Sequence, residues 1–291
     1  MQNQTSPLIF SFGVADPVGA IGVQADLAVF AAHSCNGISV TTALLIGDSA
    51  RIEDQQRIDP DWVSDQARVL LEDMPVAAFK VGALDNIEHV SAIAEILSDY
   101  PDAPLILDPF SSRMPEQPDD GEHEELLTAL RQLLIPQATL LMLSQVELGR
   151  LAETWRESAD ETMESDVEHL LALGCEFVLV TGTPAGVGGE AAQAATLANT
   201  LFGADGMISH DTWQHLPGPF IGAGGTLSAA ITANMARGAD AIEAVLAAQE
   251  YTVGALANAQ RYGMGKLVPN RFFMLNAGAA GTALIGTAGT E

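Results

Sequence analysis

The chain is poor in positive charge. Lysine and arginine together number 12 against 38 aspartates and glutamates, a formal charge of −26. Nucleic-acid backbones draw proteins through basic patches, so this balance excludes that partner class. An anionic membrane surface is excluded on the same ground. Lysine is scarcest: Lys80 and Lys266 are the only two. A phosphate site in such a chain must lean on backbone N–H groups, arginines or a metal ion. Cysteine is nearly absent as well. Cys35 and Cys175 cannot build a disulfide framework and lack metal-ligand spacing, so both are expected as small buried residues. No apolar run approaches the ~20 residues of a spanning helix. The opening "MQNQTSPLIF" has neither the basic region nor the long apolar run of a signal peptide. A soluble, cytoplasmic protein is expected.

What is present is a large apolar fraction, 48% of 291 residues, enough for a substantial core. Short apolar runs read as strands: "LIFSFGV" (8–14), "GISVTTALLI" (37–46), "VAAFKVG" (76–82), "PLILDP" (104–109), "ATLLML" (138–143) and "FVLVTG" (177–182). Helical patterns lie between them. The clearest spans 59–74, with Asp59 as N-cap, Pro60 at the first helical position, and Val63, Ala67, Leu70, Leu71 and Met74 on one face. A second follows "ADPVGAIG", with Val23, Leu27, Phe30 and Ala31 on one face. Buried strands alternating with helices predict a largely parallel sheet covered on both sides. "TLANTLF" and "MISHDTWQHL", joined through "GADG", read as two later antiparallel strands, followed by helices over about 223–237 and 240–261. In the first of these, Leu227, Ala230, Ile231, Asn234 and Met235 share a face. Segments 113–124, 156–166 and 183–196 read as loops. Residues 1–276 are expected to form one domain, and the low-complexity stretch 277–291 a disordered tail.

Ligands on such sheets collect beyond the carboxyl ends of the strands. Asp16, Asp108, Ser144 and Glu147 all fall at such ends, and "GAGGTLS" (222–228) opens a helix. Each has a bland alternative. Strand-end aspartates often cap or brace loops, a first-turn glutamate complements the helix dipole, and a glycine cluster often marks close packing. Their repeated placement at one end of the sheet favours a shared site for phosphates and a metal ion.

These stretches resemble the hydroxymethylpyrimidine/phosphomethylpyrimidine kinases of the ribokinase superfamily, over roughly residues 7–272. "DPVGAIGVQADL" (16–27) is similar to that family's D-P-[ST]-G-G-A-G-I-Q-A-D-L, "SVTTAL" (39–44) to S-V-[IV]-T-A-[LI], and "KVGAL" (80–84) to K-I-G-M-L. "LALGCEFVLVTG" (171–182), "GAGGTLSAAI" (222–231) and "GMGKLVPNRFF" (263–273) resemble its later motifs. The resemblance implies a three-layer α/β/α sandwich with a mostly parallel central sheet, often a homodimer. It also implies ATP- and Mg²⁺-dependent phosphorylation of hydroxymethylpyrimidine and its monophosphate in thiamine biosynthesis. Carried over position by position, it makes Gly222, Ala223, Gly224 and Gly225 the anion cradle. Asp16, Gly47 and Lys80 become substrate-binding positions, with a structural ion pair the equal alternative for Lys80; Thr181, Gly182 and Thr226 become cofactor-binding positions, and Asp108 and Glu147 metal ligands. His210 and His215 read as structural, and Asn270 and Arg271 as lesser candidates.

The departures from the family pattern cluster at the chemistry. The family's catalytic Cys, an Asp in most sugar kinases, is Gly225; the lysine that approaches ATP phosphates is Thr181. The Asn of its N-x-x-E motif is Ser144, and the glutamine that binds the pyrimidine is Gly47. Two other readings stay open: a ribokinase-fold protein that binds a small molecule without turnover, and a pyridoxal-type kinase.

Overall fold

Nine strands join one sheet in the computed structural model, which describes residues 6–110, 121–156, 162–184, 196–214 and 216–275. They are β1 (Leu8–Ala15), β2 (Asn36–Gly47), β3 (Ile52–Arg57), β4 (Ala78–Val81), β5 (Leu105–Leu107), β6 (Leu140–Ser144), β7 (Phe177–Pro184), β8 (Thr196–Gly203) and β9 (Gly206–Gln214). Their order is β3-β2-β1-β4-β5-β6-β7-β8-β9, with β2 through β7 parallel and β3, β8 and β9 antiparallel. Eight α-helices accompany them among the described residues: α1 (Gly22–Ala32), α2 (Pro60–Asp73), α3 (Ile87–Leu97), α4 (Glu122–Ala129), α5 (Gln145–Ala152), α6 (Met163–Ala172), α7 (Ala223–Ala236) and α8 (Ala241–Ala257).

Strand alternation divides the core into two layers. Phe10, Phe12, Phe79, Val81, Leu105, Leu107, Leu141, Leu143, Val178 and Val180 face α2–α6. Ile9, Ile106, Leu140, Met142 and Leu179 face α1, α7 and α8. The second layer is not wholly apolar. Ser11 and Lys80 are paired residues of β1 and β4 on that side. There Lys80 Nζ lies 3.0 and 3.1 Å from the two oxygens of Asp26, and Ser11 Oγ donates to Asp26 over 2.8 Å.

That ion pair corrects the reading of α1. Val23 and Phe30 are buried as expected, but Leu27 is half-buried and Ala31 exposed, and the buried face runs through Val23, Ala25, Asp26, Val29 and Phe30, with Asp26 1% exposed. The expected face of Val23, Leu27, Phe30 and Ala31 leaves out Asp26, which only its pairing with Lys80 takes inside. Helix α7 differs too. It lies in the middle of its layer, and Thr226–Ala233 are buried all round rather than along one stripe.

The polar edge strand β3, "IEDQQR", was hidden because it carries no apolar period. Segment 113–124 ends in the first turn of α4, and 156–166 ends in the capped start of α6, where Thr162 and Ser165 form a capping box. Segment 183–196 shares Thr183 and Pro184 with β7 and Thr196 with β8. The final helix stops at Ala257, short of 261. The rest of those loops, His215 and the 277–291 tail lie outside the described residues. Helix α2 starts as its sequence requires, with Asp59 Oδ1 accepting from the Asp61 amide at 2.9 Å.

Candidate active site

The carboxyl ends of β5, β6 and β7 face the start of α7. Gly222 is the residue before that helix and has φ +81°. A Cβ there would collide with the carbonyl oxygen of Ala20, so this position requires glycine. The first intrahelical bond runs from Thr226 N–H to Gly222 O over 3.0 Å. The amides of Gly222, Ala223, Gly224 and Gly225 therefore have no acceptor within the helix, and the helix dipole adds partial positive charge at the same end. All four residues line one cavity of about 230 Å³, together with Asp108, Ser144, Glu147 and Thr181. Nothing lies within 4 Å of where a Cβ of Gly225 would stand. The cradle is complete, and the space for a side chain at Gly225 is empty.

The carboxylates in this cavity are held from behind. Asp108 follows β5, and its Oδ2 accepts from Ser228 Oγ on α7 at 2.7 Å. Burial raises its pKa to about 6, partly offset by the Lys80 charge and the Ser228 hydroxyl, while Glu147 pushes it further up. Ser144 and Glu147 form a capping box at the start of α5. Glu147 Oε2 accepts from the Ser144 amide at 2.7 Å, and Ser144 Oγ accepts from the Glu147 amide at 3.2 Å. Among the described residues no group of three His, Cys, Asp or Glu side chains could hold a metal by itself. Two carboxylates beside an anion cradle still fit Mg²⁺, which takes one or two protein carboxylates and completes its shell from phosphate and water.

Thr181, Ala223 and Gly224 also border an adjoining cavity of about 260 Å³ between β7, β8 and helices α7 and α8. Its walls are largely apolar, including Leu197, Leu216, Phe220 and Val253, with Asn199 and Gln249 as polar points. Gly182 lines it at φ +73°, its amide donating to Asn199 Oδ1 at 3.3 Å.

Four expected site residues stand outside both cavities. Asp16 is buried, with Oδ1 accepting from the Val18 amide and Oδ2 from those of Ala20 and Ile21, all at 3.0–3.1 Å. It braces its own loop. Lys80, 2% exposed, is engaged with Asp26, and it reaches the site only through its field on Asp108. Gly47 ends β2 at a register shift, where a Cβ would stand 2.6 Å from the Arg51 carbonyl oxygen. Hairpin packing accounts for glycine there. Thr226 is fully buried; its hydroxyl donates to Gly222 O at 2.7 Å and accepts from Arg271 Nε at 3.2 Å. His210 is exposed on β9, outside both cavities, its Nδ1 lying 2.9 Å from Thr200 Oγ1. Asn270 Oδ1 only accepts from the Phe272 amide.

Arg271 does more than the sequence suggested. It is 6% exposed, and its guanidinium donates to Gly19 O at 3.0 Å and Ala20 O at 2.6 Å as well as to Thr226. It thus clamps the loop after β1 onto the first turn of α7. Lys266 was also missed as a site residue, yet it lines the anion cavity.

The three layers, the sheet order and a glycine-rich helix start at the carboxyl edge define a ribokinase-like kinase fold. A similar fold is seen in an ADP complex of Bacillus subtilis pyridoxal kinase, with a TM-score of 0.77, 24% identity and coverage of 93% of this chain and 100% of that one. The family model for phosphomethylpyrimidine kinase matches residues 16–270, and the chain belongs to that family. The hydroxymethylpyrimidine/phosphomethylpyrimidine kinase of Salmonella typhimurium is 30% identical over 257 residues, covering 86% of this chain and 91% of its own. A solved phosphomethylpyrimidine kinase from Clostridium difficile 630 is 25% identical, with a TM-score of 0.66 over 85% of this chain and 98% of that one.

Proposed function

We propose that this chain transfers the γ-phosphoryl group of ATP to hydroxymethylpyrimidine and its monophosphate, with the monophosphate the preferred acceptor. One observation carries the reading. Four helix-start amides and two carboxylates share a single cavity that opens beside an apolar slot. The slot suits a nucleotide base, with Asn199 and Gln249 to orient it. The amides of Gly222–Gly225 would then hold the transferred group as its charge spreads over the equatorial oxygens. Asp108 and Glu147 would hold Mg²⁺, which when bound supplies neutralisation of the phosphate charge.

The acceptor preference follows from Gly225. A primary alcohol must lose a proton during transfer, and a positioned base contributes about 10²–10⁴-fold. A phosphate monoester has a second pKa of about 6 and is already largely dianionic at neutral pH. Asp16 could replace the base only by giving up its three loop amides, so the alcohol is the acceptor that suffers. The proposal includes a homodimer, supported by Leu44 and Ile46, exposed on one face of β2. It also includes a cytoplasmic location, supported by two free buried thiols and by the lack, among the described residues, of any helix long and apolar enough to cross a membrane.

Initial rates with ATP·Mg²⁺ and each acceptor separately test this reading, with pyridoxal as a third acceptor. Faster turnover of the alcohol, or of pyridoxal, contradicts it. A second reading, binding without turnover, is favoured by the empty space around Gly225. Calorimetric binding of ATP without product formation from any acceptor would establish it.

A further inference from the structure

The anion cavity contains two carboxylates, Asp108 and Glu147, in a chain of formal charge −26. A nucleotide triphosphate entering it meets repulsion that the helix amides, as partial charges, offset only in part. A full positive charge at the transferred group would answer this. Lys80 is held in the core by Asp26. Arg271 turns its guanidinium to the carbonyls of Gly19 and Ala20 and to Thr226. Of the described residues that line the cavity, only Lys266 carries positive charge.

The backbone of Lys266 is fixed where that role requires. Its N–H donates to Ser49 O at 2.9 Å. The next residue, Leu267, is bonded on both sides to the strand-like approach to α7: its N–H donates to Pro219 O at 2.8 Å and its carbonyl accepts from Ile221 N–H at 2.9 Å. The preceding Gly265 packs against the Ser49–Ala50 backbone so closely that a Cβ would collide with it. A parallel bridge sets Leu267 against Phe220, which leaves Lys266 on a braced strap next to Pro219, at the start of the approach to α7, and Lys266 lines the same cavity as Ile221 and Gly222. Its side chain is partly exposed and forms no ion pair among the described residues, so the charge is available to a ligand.

We infer that Lys266 is the side-chain cation that, beside the proposed Mg²⁺, binds the nucleotide phosphates and stabilises the transferred group. This rests on the proposed use of ATP, and it assigns the charge to a strap residue outside the sheet and its helices. Lysine suits the position, since a compact ammonium on a flexible stem can follow a group as it moves between two oxygens.

Calorimetry and kinetics on Lys266→Ala, Lys266→Arg and the double variant Lys266→Ala/Thr181→Lys test it. Thr181 lines the same cavity from β7, so a lysine there returns the charge by another route. Lys266→Ala is expected to weaken ATP and ADP binding and to lower kcat/KM for ATP at least about tenfold, the low end for a charge-assisted contact. Adenosine, which lacks phosphate, should bind both proteins alike. Lys266→Arg should keep most of the activity, and the double variant should regain part of what Lys266→Ala loses. Unchanged ATP binding in Lys266→Ala, or an equal loss for adenosine, overturns the inference while the kinase reading stands. A wild-type protein that binds no ATP overturns both.

Discussion

Adding a side chain at Gly225 is the perturbation with the sharpest expected gain. The position is the third residue of α7, its φ is not in the left-handed region, and no described atom beyond its own stretch of helix lies within 4 Å of the added Cβ. Gly225→Ala should therefore stabilise the fold by up to ~1 kcal/mol, the difference in helix propensity. Gly225→Asp should gain a similar or smaller amount, because its weaker propensity is offset by ~0.3–1 kcal/mol from a carboxylate at the helix start. The kinetic effects should separate these variants. Asp supplies a base beside the cradle, so the rate on hydroxymethylpyrimidine should rise by about 10²–10⁴-fold, while the rate on the monophosphate changes little. Gly225→Cys makes the same test without a permanent third negative charge in the cavity, since the helix start lowers a thiol pKa. Gly225→Ala should leave the ratio of the two rates as it is. Steady-state assays with both acceptors, beside thermal melts, give both readouts. If Asp and Cys fold and bind ATP yet leave the ratio unchanged, the missing base does not set the acceptor preference.

Other consequences concern the supports of the site. Arg271→Met removes three hydrogen bonds from a buried guanidinium and leaves Gly19 and Ala20 carbonyls without their partner; a loss of ~2–4 kcal/mol in chemical denaturation is expected. Lys80→Met strands the Asp26 carboxylate and should cost ~3–5 kcal/mol, whereas Lys80→Met/Asp26→Leu should recover most of it. Recovery would place Lys80 in the core rather than at the substrate. Asp108 gives a pH signature. Its folded pKa of about 6 lies above its ordinary 3.8, so the folded state holds the proton more tightly. The stability this contributes is present below about pH 4 and lost as the pH rises through about 6, a difference of up to ~3 kcal/mol. Asp108→Asn should flatten the melting profile across that window, and an unchanged profile would mean the carboxyl is not perturbed by burial.

Local patterns made much of the fold legible. Apolar runs marked the parallel strands because both faces of the sheet are covered, and Asp59-Pro60 marked the start of α2 by its capping chemistry. The glycine cluster at 222–225 was readable as a helix start because Gly222 takes a left-handed φ and passes close to the Ala20 carbonyl, which only glycine allows. What stayed hidden is charge that tertiary contacts take inside. Asp26 reads as the polar side of α1 until Lys80, 54 residues away, is seen beside it. Arg271 reads as a lesser candidate because its acceptors lie 251 and 252 residues earlier. Lys266 escaped for the same reason: only the pairing of its strap with the approach to α7 brings it to the cavity. Strand β3 shows the converse case, a strand defined by pairing with β2 along an edge whose charged residues guard it from other chains.

The most direct test of the account is a competition assay in which wild-type protein receives ATP·Mg²⁺ and equal amounts of hydroxymethylpyrimidine and its monophosphate. Pyrophosphate formed from the supplied monophosphate, with the alcohol consumed more slowly, is the predicted result. Consumption of the alcohol first, or no transfer to either acceptor while ATP is bound, would contradict it.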